Sequence, residues 1–163
     1  MIVAYINERD KRVVDLLKQL KADFVLVGDL QKEKTMGDLL QGSETSFVSG
    51  PTFLYFSNGE ENTQQKLSKL CKENNIYIPR IAMETKHNIG WTLQALLEEI
   101  EKEYTYFLTR DKLYALIMKP DKERLRQDEA YLNLMSYGLS LVENEDSSIE
   151  QMKACIANIE KNK

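Results

Sequence analysis

Eight residues that follow predicted strands are the candidates for binding chemistry in this sequence. Carboxylates, amides, hydroxyls and an imidazole are the side-chain groups that orient small ligands or transfer protons. The possible ligand-binding residues are Asn7, Asp29, Ser57, Asn58, Glu84, His87, Asn88 and Trp91. The competing interpretation, which we favour, is that most of them cap helices and form turns, because Asn, Asp and Ser commonly do both.

Two of these residues are unique in the chain. His87 is the only histidine, and with Glu84 it could perform acid–base chemistry if the two side chains converge. A single histidine in a loop is more often merely solvated, and no Ser or Cys has an evident base beside it, so we assign no catalytic residue and favour a protein that is not an enzyme. Trp91 is the only tryptophan. It could stack on a ligand, but we favour packing of its ring between helix and sheet.

Motifs for cofactors are missing from the places where they would be expected. Asn7 to Lys11 follow the first strand without a glycine, and neither G-x-G-x-x-G nor a Walker A loop occurs. The third strand ends in Ser57 and Asn58, so it lacks the carboxylate of a phospho-receiver domain. No closely spaced set of metal ligands is present. We therefore predict no cofactor and no metal site.

Composition excludes several broad classes. The chain has 163 residues, 42% hydrophobic content and a net charge of -4, so it can bury a core, and its acidic balance argues against nucleic-acid binding. Cys71 and Cys155 are predicted to be reduced residues that pack in the interior. The amino-terminal residues are charged too soon for a signal peptide, and no apolar run is long enough to span a membrane. We predict a cytoplasmic protein that does not bind membranes.

Alternating elements define the expected fold. Apolar runs at 2–6, 24–27, 52–56 and 78–83 predict strands, and residues with helical periodicity lie between them. We predict a small three-layer α/β domain with a mostly parallel four-stranded sheet in the order 2-1-3-4, which is half of a flavodoxin-like fold. Ligands bind such sheets at the carboxyl ends of the strands, so all eight candidate residues are expected at one edge.

A helical extension is expected after this domain. The helix that begins near Trp91 either continues to Lys119 or breaks near Thr109, and Pro120 marks a stop. We predict an α/β domain over residues 1–118 and a hairpin of two helices over 119–163. The aromatic residues of the long helix, among them Phe107 and Tyr114, are expected to pack in the interior. The apolar stripes of the extension either pack within the chain or form a homodimer or a contact with a protein partner.

Several short motifs resemble those of a known bacterial family. They include Met36-Gly37-x-Leu39 before a loop, and an apolar strand like 53–56 that ends in a Ser/Asn/Gly turn. The most specific is Ile81-Ala-Met-Glu-Thr85-x-x-Asn88-x-x-Trp91, which leads into an acidic helix ending at Phe107. With these motifs, residues 1 to about 107 resemble the uncharacterised domain of unknown function 3783. The resemblance implies a small α/β domain and no particular activity.

The sequence therefore favours a non-catalytic interaction or regulatory module. The alternative is a small-ligand-binding protein or weak enzyme with a site at the carboxyl edge of the sheet.

Overall fold

A computed structural model describes all 163 residues, which form two compact units at residues 1–101 and 102–163. The strands are β1 (Ile2–Tyr5), β2 (Phe24–Val27), β3 (Phe53–Phe56) and β4 (Ile81–Met83). The helices are α1 (Arg12–Gln19), α2 (Met36–Leu40), α3 (Glu61–Glu73), α4 (Leu93–Ile117), α5 (Lys122–Gln127), α6 (Glu129–Glu143) and α7 (Ile149–Lys161). Short 3₁₀ turns cover Glu8–Asp10, Asp29–Gln31 and Asn88–Gly90.

The predicted strand order is confirmed. The sheet is arranged β2-β1-β3-β4, and it is mostly parallel because β1 pairs with β2 and β3 pairs with β4 in the same direction. The central pair is the exception, since β1 and β3 are antiparallel. The first unit thus consists of two parallel β-α-β pieces that run in opposite directions.

Helices cover both faces of the sheet, which gives the predicted three layers. Because side chains alternate along a strand, each strand contributes to two cores. On one face, α1 and α3 cover Ile2, Ala4, Leu54 and Phe56. On the other face, α2 and the first turns of α4 cover Val3, Tyr5, Phe53 and Tyr55. All eight of these residues are at most 1% exposed, so the central strands β1 and β3 are fully buried.

Local signals set the helix starts. Asn7, predicted as an N-cap, accepts a hydrogen bond from the Arg9 N–H at 3.1 Å. The Thr35 hydroxyl accepts one from the Asp38 N–H at 3.2 Å and begins α2. β4 starts two residues after Pro79, whose ring nitrogen has no hydrogen to donate to a sheet ladder.

The second unit is entirely helical. Its core contains Leu113 from α4, Met135 from α6 and Met152 from α7. α4 continues without a break through Thr109, so the first of the two alternatives holds. The boundary between the two compact units falls within α4, after Glu101, whereas the predicted boundary at residue 118 lies just after that helix.

The predicted two-helix hairpin contains three helices. The residues expected to form its first helix are divided by Asp128, whose backbone is extended. The Asp128 side chain accepts the Tyr131 N–H at 3.1 Å, so it caps α6 and ends α5.

Both cysteines are free and buried, as predicted. Burial raises the pKa of the Cys71 and Cys155 thiols, which keeps them protonated and unreactive. None of the helices combines the length and apolar character needed to cross a membrane.

Candidate functional site

The candidate residues divide between two opposite edges of the sheet. Because β1 and β3 are antiparallel, the carboxyl end of β1 lies beside the amino end of β3, where Tyr5 pairs with Phe53. The prediction of one shared edge is therefore wrong. Asn7 and Asp29 lie at the first edge, and Ser57, Asn58 and Glu84 lie at the second.

The first edge is organised around the segment that enters β3. The Asn7 amide donates to the Gly50 carbonyl at 2.8 Å, and the Asn7 backbone N–H donates to the Thr52 hydroxyl at 2.9 Å. The Asp29 carboxylate accepts hydrogen bonds from the Ser49 hydroxyl at 2.5 Å and from the Ser49 N–H at 3.2 Å. Asn7 and Asp29 thus hold adjacent parts of one loop.

Asp29 is the most highly connected ionisable group of this edge. Its carboxylate also accepts the Tyr5 hydroxyl at 2.5 Å and lies 3.7 Å from the Lys32 ammonium. Burial acts to raise the pKa of Asp29, but the hydrogen bonds from Ser49 and Tyr5 and the charge of Lys32 outweigh it and lower that pKa. Burial, together with the bond to Asp29, raises the pKa of Tyr5. Asp29 is therefore ionised at neutral pH and Tyr5 is neutral.

A cavity of about 270 Å³ lies next to this network. Tyr5, Lys32, Arg80 and Glu101 are among the residues that line it, together with the apolar side chains of Pro51 and Leu97. Arg80 donates two hydrogen bonds to Glu101, at 2.6 and 3.2 Å, and this contact lowers the pKa of Glu101. The cavity thus has both cations and carboxylates in its wall.

The second edge holds the chain terminus. The Met1 ammonium donates to the Ser57 hydroxyl at 3.1 Å and to the Glu60 carboxylate at 2.7 Å. The Asn58 N–H donates to Glu84 at 3.0 Å. These groups satisfy each other and fit the interpretation as caps and turns.

Asn88 is buried, and both the oxygen and the nitrogen of its side-chain amide form hydrogen bonds. It accepts hydrogen bonds from the Tyr55 hydroxyl and the Thr85 N–H, each at 2.8 Å. Its amide N–H donates to the Met83 carbonyl at 2.9 Å. Asn88 therefore fixes the segment after β4 against the sheet.

His87 and Trp91 are both exposed. No hydrogen bond or ion pair joins His87 to Glu84, so the two residues do not form an acid–base pair in this structure. Trp91 is 39% exposed, so its side chain is partly covered and not enclosed. It is the Trp91 backbone that has a structural role, since its carbonyl accepts the Met36 N–H at 2.9 Å.

Sequence reasoning missed Tyr5, Lys32, Ser49 and Arg80. The sequence predicts a strand at Tyr5 and a loop at Ser49. Their contacts with Asp29 depend on strand pairing between distant segments, which no local sequence pattern indicates. No group of three or more His, Cys, Asp or Glu residues could hold a metal ion.

The fold defines a mixed α/β sheet domain joined to a helical unit. Residues 53–107 match the family model described as Domain of unknown function (DUF3783). The match confirms the resemblance seen in the sequence over these residues, while residues 1–52 lie outside it. No curated protein and no solved structure matches the chain.

Proposed function

We propose that this protein is a non-catalytic interaction module that binds a second copy of itself through α4. The observation that supports this function is an exposed apolar stripe on the carboxyl-terminal part of that helix. Phe107 is 53% exposed, Tyr114 is 48% exposed and Met118, which directly follows α4, is 56% exposed. Phe107 and Tyr114 were expected to pack in the interior, so their exposure needs another explanation.

The spacing of the stripe suits a helix partner. Phe107, Asp111, Tyr114 and Met118 are separated by four, three and four residues, so they project from one side of the helix. This is the interval at which two helices pack along a shared seam. Leu108 and Ala115 widen the same side and would contact the partner as well.

Charge favours an antiparallel arrangement of the two helices. Glu103 precedes the stripe, whereas Lys119 lies at its other end. Antiparallel pairing about Asp111 brings each acidic end near the basic end of the partner, and a parallel pair would place like charges together. The cost of this arrangement is that the two Asp111 carboxylates meet at the centre.

Sedimentation velocity over a range of concentrations tests this function. The wild-type chain is expected to pass from monomer to dimer as its concentration rises. The double variant Phe107→Glu/Tyr114→Glu is expected to remain monomeric, because dimer formation would bury the new charges in the seam. Tyr77→Glu is the matched control, since Tyr77 is 74% exposed but lies in the first unit. A wild-type chain that stays monomeric at about 100 μM would remove the support for this proposal, since that concentration exceeds a micromolar Kd by two orders of magnitude.

A small-ligand site is the second candidate function. It is supported by the cavity beside Tyr5, where Lys32 and Arg80 lie near Glu98 and Glu101. Groups of both signs in one small cavity suit a zwitterionic metabolite such as an amino acid. Thermal shift measurements with a panel of amino acids test this candidate. A stabilising compound should lose its effect in Lys32→Met and keep it in Lys34→Met, and no response to the whole panel would count against a site here.

A further inference from the structure

We infer that residues 2–40 and residues 53–97 are two copies of one β-α-β-α unit, and that the surface of each copy is built to bind a second copy of the unit. Each segment has a strand, a helix on the α1–α3 face, a second strand and a helix on the other face. The family model matches the second segment and none of the first. Three sets of backbone and side-chain contacts carry the equivalence.

The first set is at the ends of α1 and α3. Lys21 and Asn75, with φ of 54° and 57°, are the two non-glycine residues of the chain with positive φ. Each of these residues comes just after the end of its helix. The N–H of the next residue donates to the carbonyl five residues earlier, from Ala22 to Leu17 at 3.1 Å and from Ile76 to Cys71 at 2.8 Å. Both helices thus end in the same Schellman motif, at positions separated by a constant interval in the sequence.

The second set follows the outer strands, where residues 24–40 correspond to residues 81–97 without a gap. The Gly28 N–H donates to the Gln31 side chain, and the Thr85 N–H donates to the Asn88 side chain, each at 2.8 Å. Gln31 and Asn88 are both buried amides. The next helix in each segment begins with a threonine cap, whose hydroxyl accepts an N–H from three residues later. These caps are Thr35 and Thr92.

The third set joins the two segments to each other. Val3 lies opposite Tyr55 at the centre of the β1–β3 pair, and these two are equivalent because Ile2 pairs with the first residue of β2 and Leu54 with the first residue of β4. Thr35 forms a bridge with its own equivalent, Thr92. On either side of that bridge the Met36 N–H donates to the Trp91 carbonyl, and the Leu93 N–H donates to the Lys34 carbonyl, each at 2.9 Å.

Val3 and Thr35 each pair with their own equivalent, and the Met36–Trp91 and Lys34–Leu93 bonds are equivalent to each other, which is the property of a two-fold axis between identical units. The β1–β3 seam is therefore an isologous interface. Only three residues are identical across the gap-free stretch, namely Thr35, Leu39 and Leu40 with their counterparts Thr92, Leu96 and Leu97. The first copy has kept the geometry and lost most of the sequence, so it lies outside the family match.

Exchanging the two copies within the full chain tests the inference. After an added initiator Met, the exchanged chain runs 53–97, 41–52, 1–40 and then 98–163, so every residue is kept and each new junction is related to an old one by the two-fold axis. It is expected to give the same far-UV circular dichroism, a Tm within about 10 °C of wild type, and NMR contacts between Ala4 and Leu54.

A nicked chain in the natural order is the companion variant. A protease site inserted after Gly42, which lies in a loop with nothing within 4 Å of its added Cβ, allows the chain to be cut between the copies. The two fragments should remain together as a 1:1 complex on gel filtration. An exchanged chain that is unfolded while the nicked chain stays folded would overturn the equivalence of the copies. Fragments that separate without denaturant would overturn the claim that the copies are partners.

Discussion

The Tyr55 hydroxyl donates a 2.8 Å hydrogen bond to the side-chain oxygen of Asn88 beneath the start of α4. The same oxygen also accepts the Thr85 N–H, and the Asn88 amide reaches the Met83 carbonyl. One buried side chain thus joins β3, the end of β4 and the turn that follows β4 within the matched family region.

Removing the Asn88 side chain should destabilise the first unit. Asn88→Ala leaves a buried hydroxyl, an N–H and a carbonyl without partners, each of which costs roughly 1–3 kcal/mol when unsatisfied. We expect a loss of roughly 3 kcal/mol in the free energy of unfolding, because water will restore part of the bonding. Urea denaturation measures the change. Asn58→Ala is the control, since Asn58 is exposed and only its backbone N–H is bonded to Glu84, and an equal effect in both variants would contradict this role.

Alkaline pH should weaken the protein through Tyr55. Burial, with the nearby charge of Glu84, raises the pKa of Tyr55 to about 12 from its ordinary value of 10.0. Because the pKa of Tyr55 is higher in the folded state than in the unfolded state, its contribution to the free energy of unfolding is complete below pH 10. That contribution is lost as the pH rises toward 12. The shift corresponds to roughly 3 kcal/mol at about 1.4 kcal/mol per unit. Tyr55→Phe should be less stable at pH 8 and lose less further stability up to pH 12, as measured by urea denaturation at each pH; parallel pH curves for the two proteins would exclude this source.

Acid should loosen the first edge through Asp29. Its pKa is lowered, so the stabilisation it gives is present above the ordinary value of 3.8 and is lost as the pH falls through the lower folded-state value. Wild type should therefore lose more stability between pH 5 and pH 2 than Asp29→Asn does, because the amide has no charge to lose. Thermal melts at each pH provide the comparison, with Asp15→Asn on the exposed side of α1 as the matched control.

The central carboxylate of the proposed α4 seam provides a gain-of-function test. Asp111→Asn removes the repulsion between two carboxylates in the antiparallel dimer, so the dimer Kd should fall several-fold at low salt and less at high salt. Sedimentation at two salt concentrations measures it. Asp146→Asn, in an exposed turn of the second unit, should leave the Kd unchanged. A weaker dimer in Asp111→Asn would rule out pairing about this residue.

Close packing at Gly138 should be sensitive to any larger residue. A Cβ there would lie 3.0 Å from a methyl carbon of Ile117 and 3.4 Å from the Cys155 sulfur. Gly138→Val should destabilise the helical unit by about 1–3 kcal/mol, the usual cost of overpacking a core. Gly90→Ala meets nothing within 4 Å and should change stability little, and both variants can be compared by thermal unfolding.

The sequence predicts the elements and their order well because these depend on local periodicity and on buried strand residues. The sequence does not determine the direction of β3 relative to β1. The run of 25 residues between Val27 and Phe53 contains a short helix and an irregular loop, and nothing in its composition tells whether β3 returns parallel or antiparallel to β1. That single reversal separates Asn7 and Asp29 from Ser57, Asn58 and Glu84.

The same limit explains the missed contacts. The partners of Asp29 come from Tyr5 and Ser49, which are 24 and 20 residues away in the chain. Exposure along α4 was also hard to foresee, since an apolar stripe gives the same pattern whether it faces a core or a partner. The relation between residues 2–40 and 53–97 escaped detection because geometry preserves it and side-chain identity does not.

The outer strands β2 and β4 have four and three residues, and Pro79 lies just before β4. Strands this short present few unpaired backbone groups to an incoming chain, and a proline interrupts any extension of the ladder. Both rims of the sheet are therefore poor templates for the addition of a further strand.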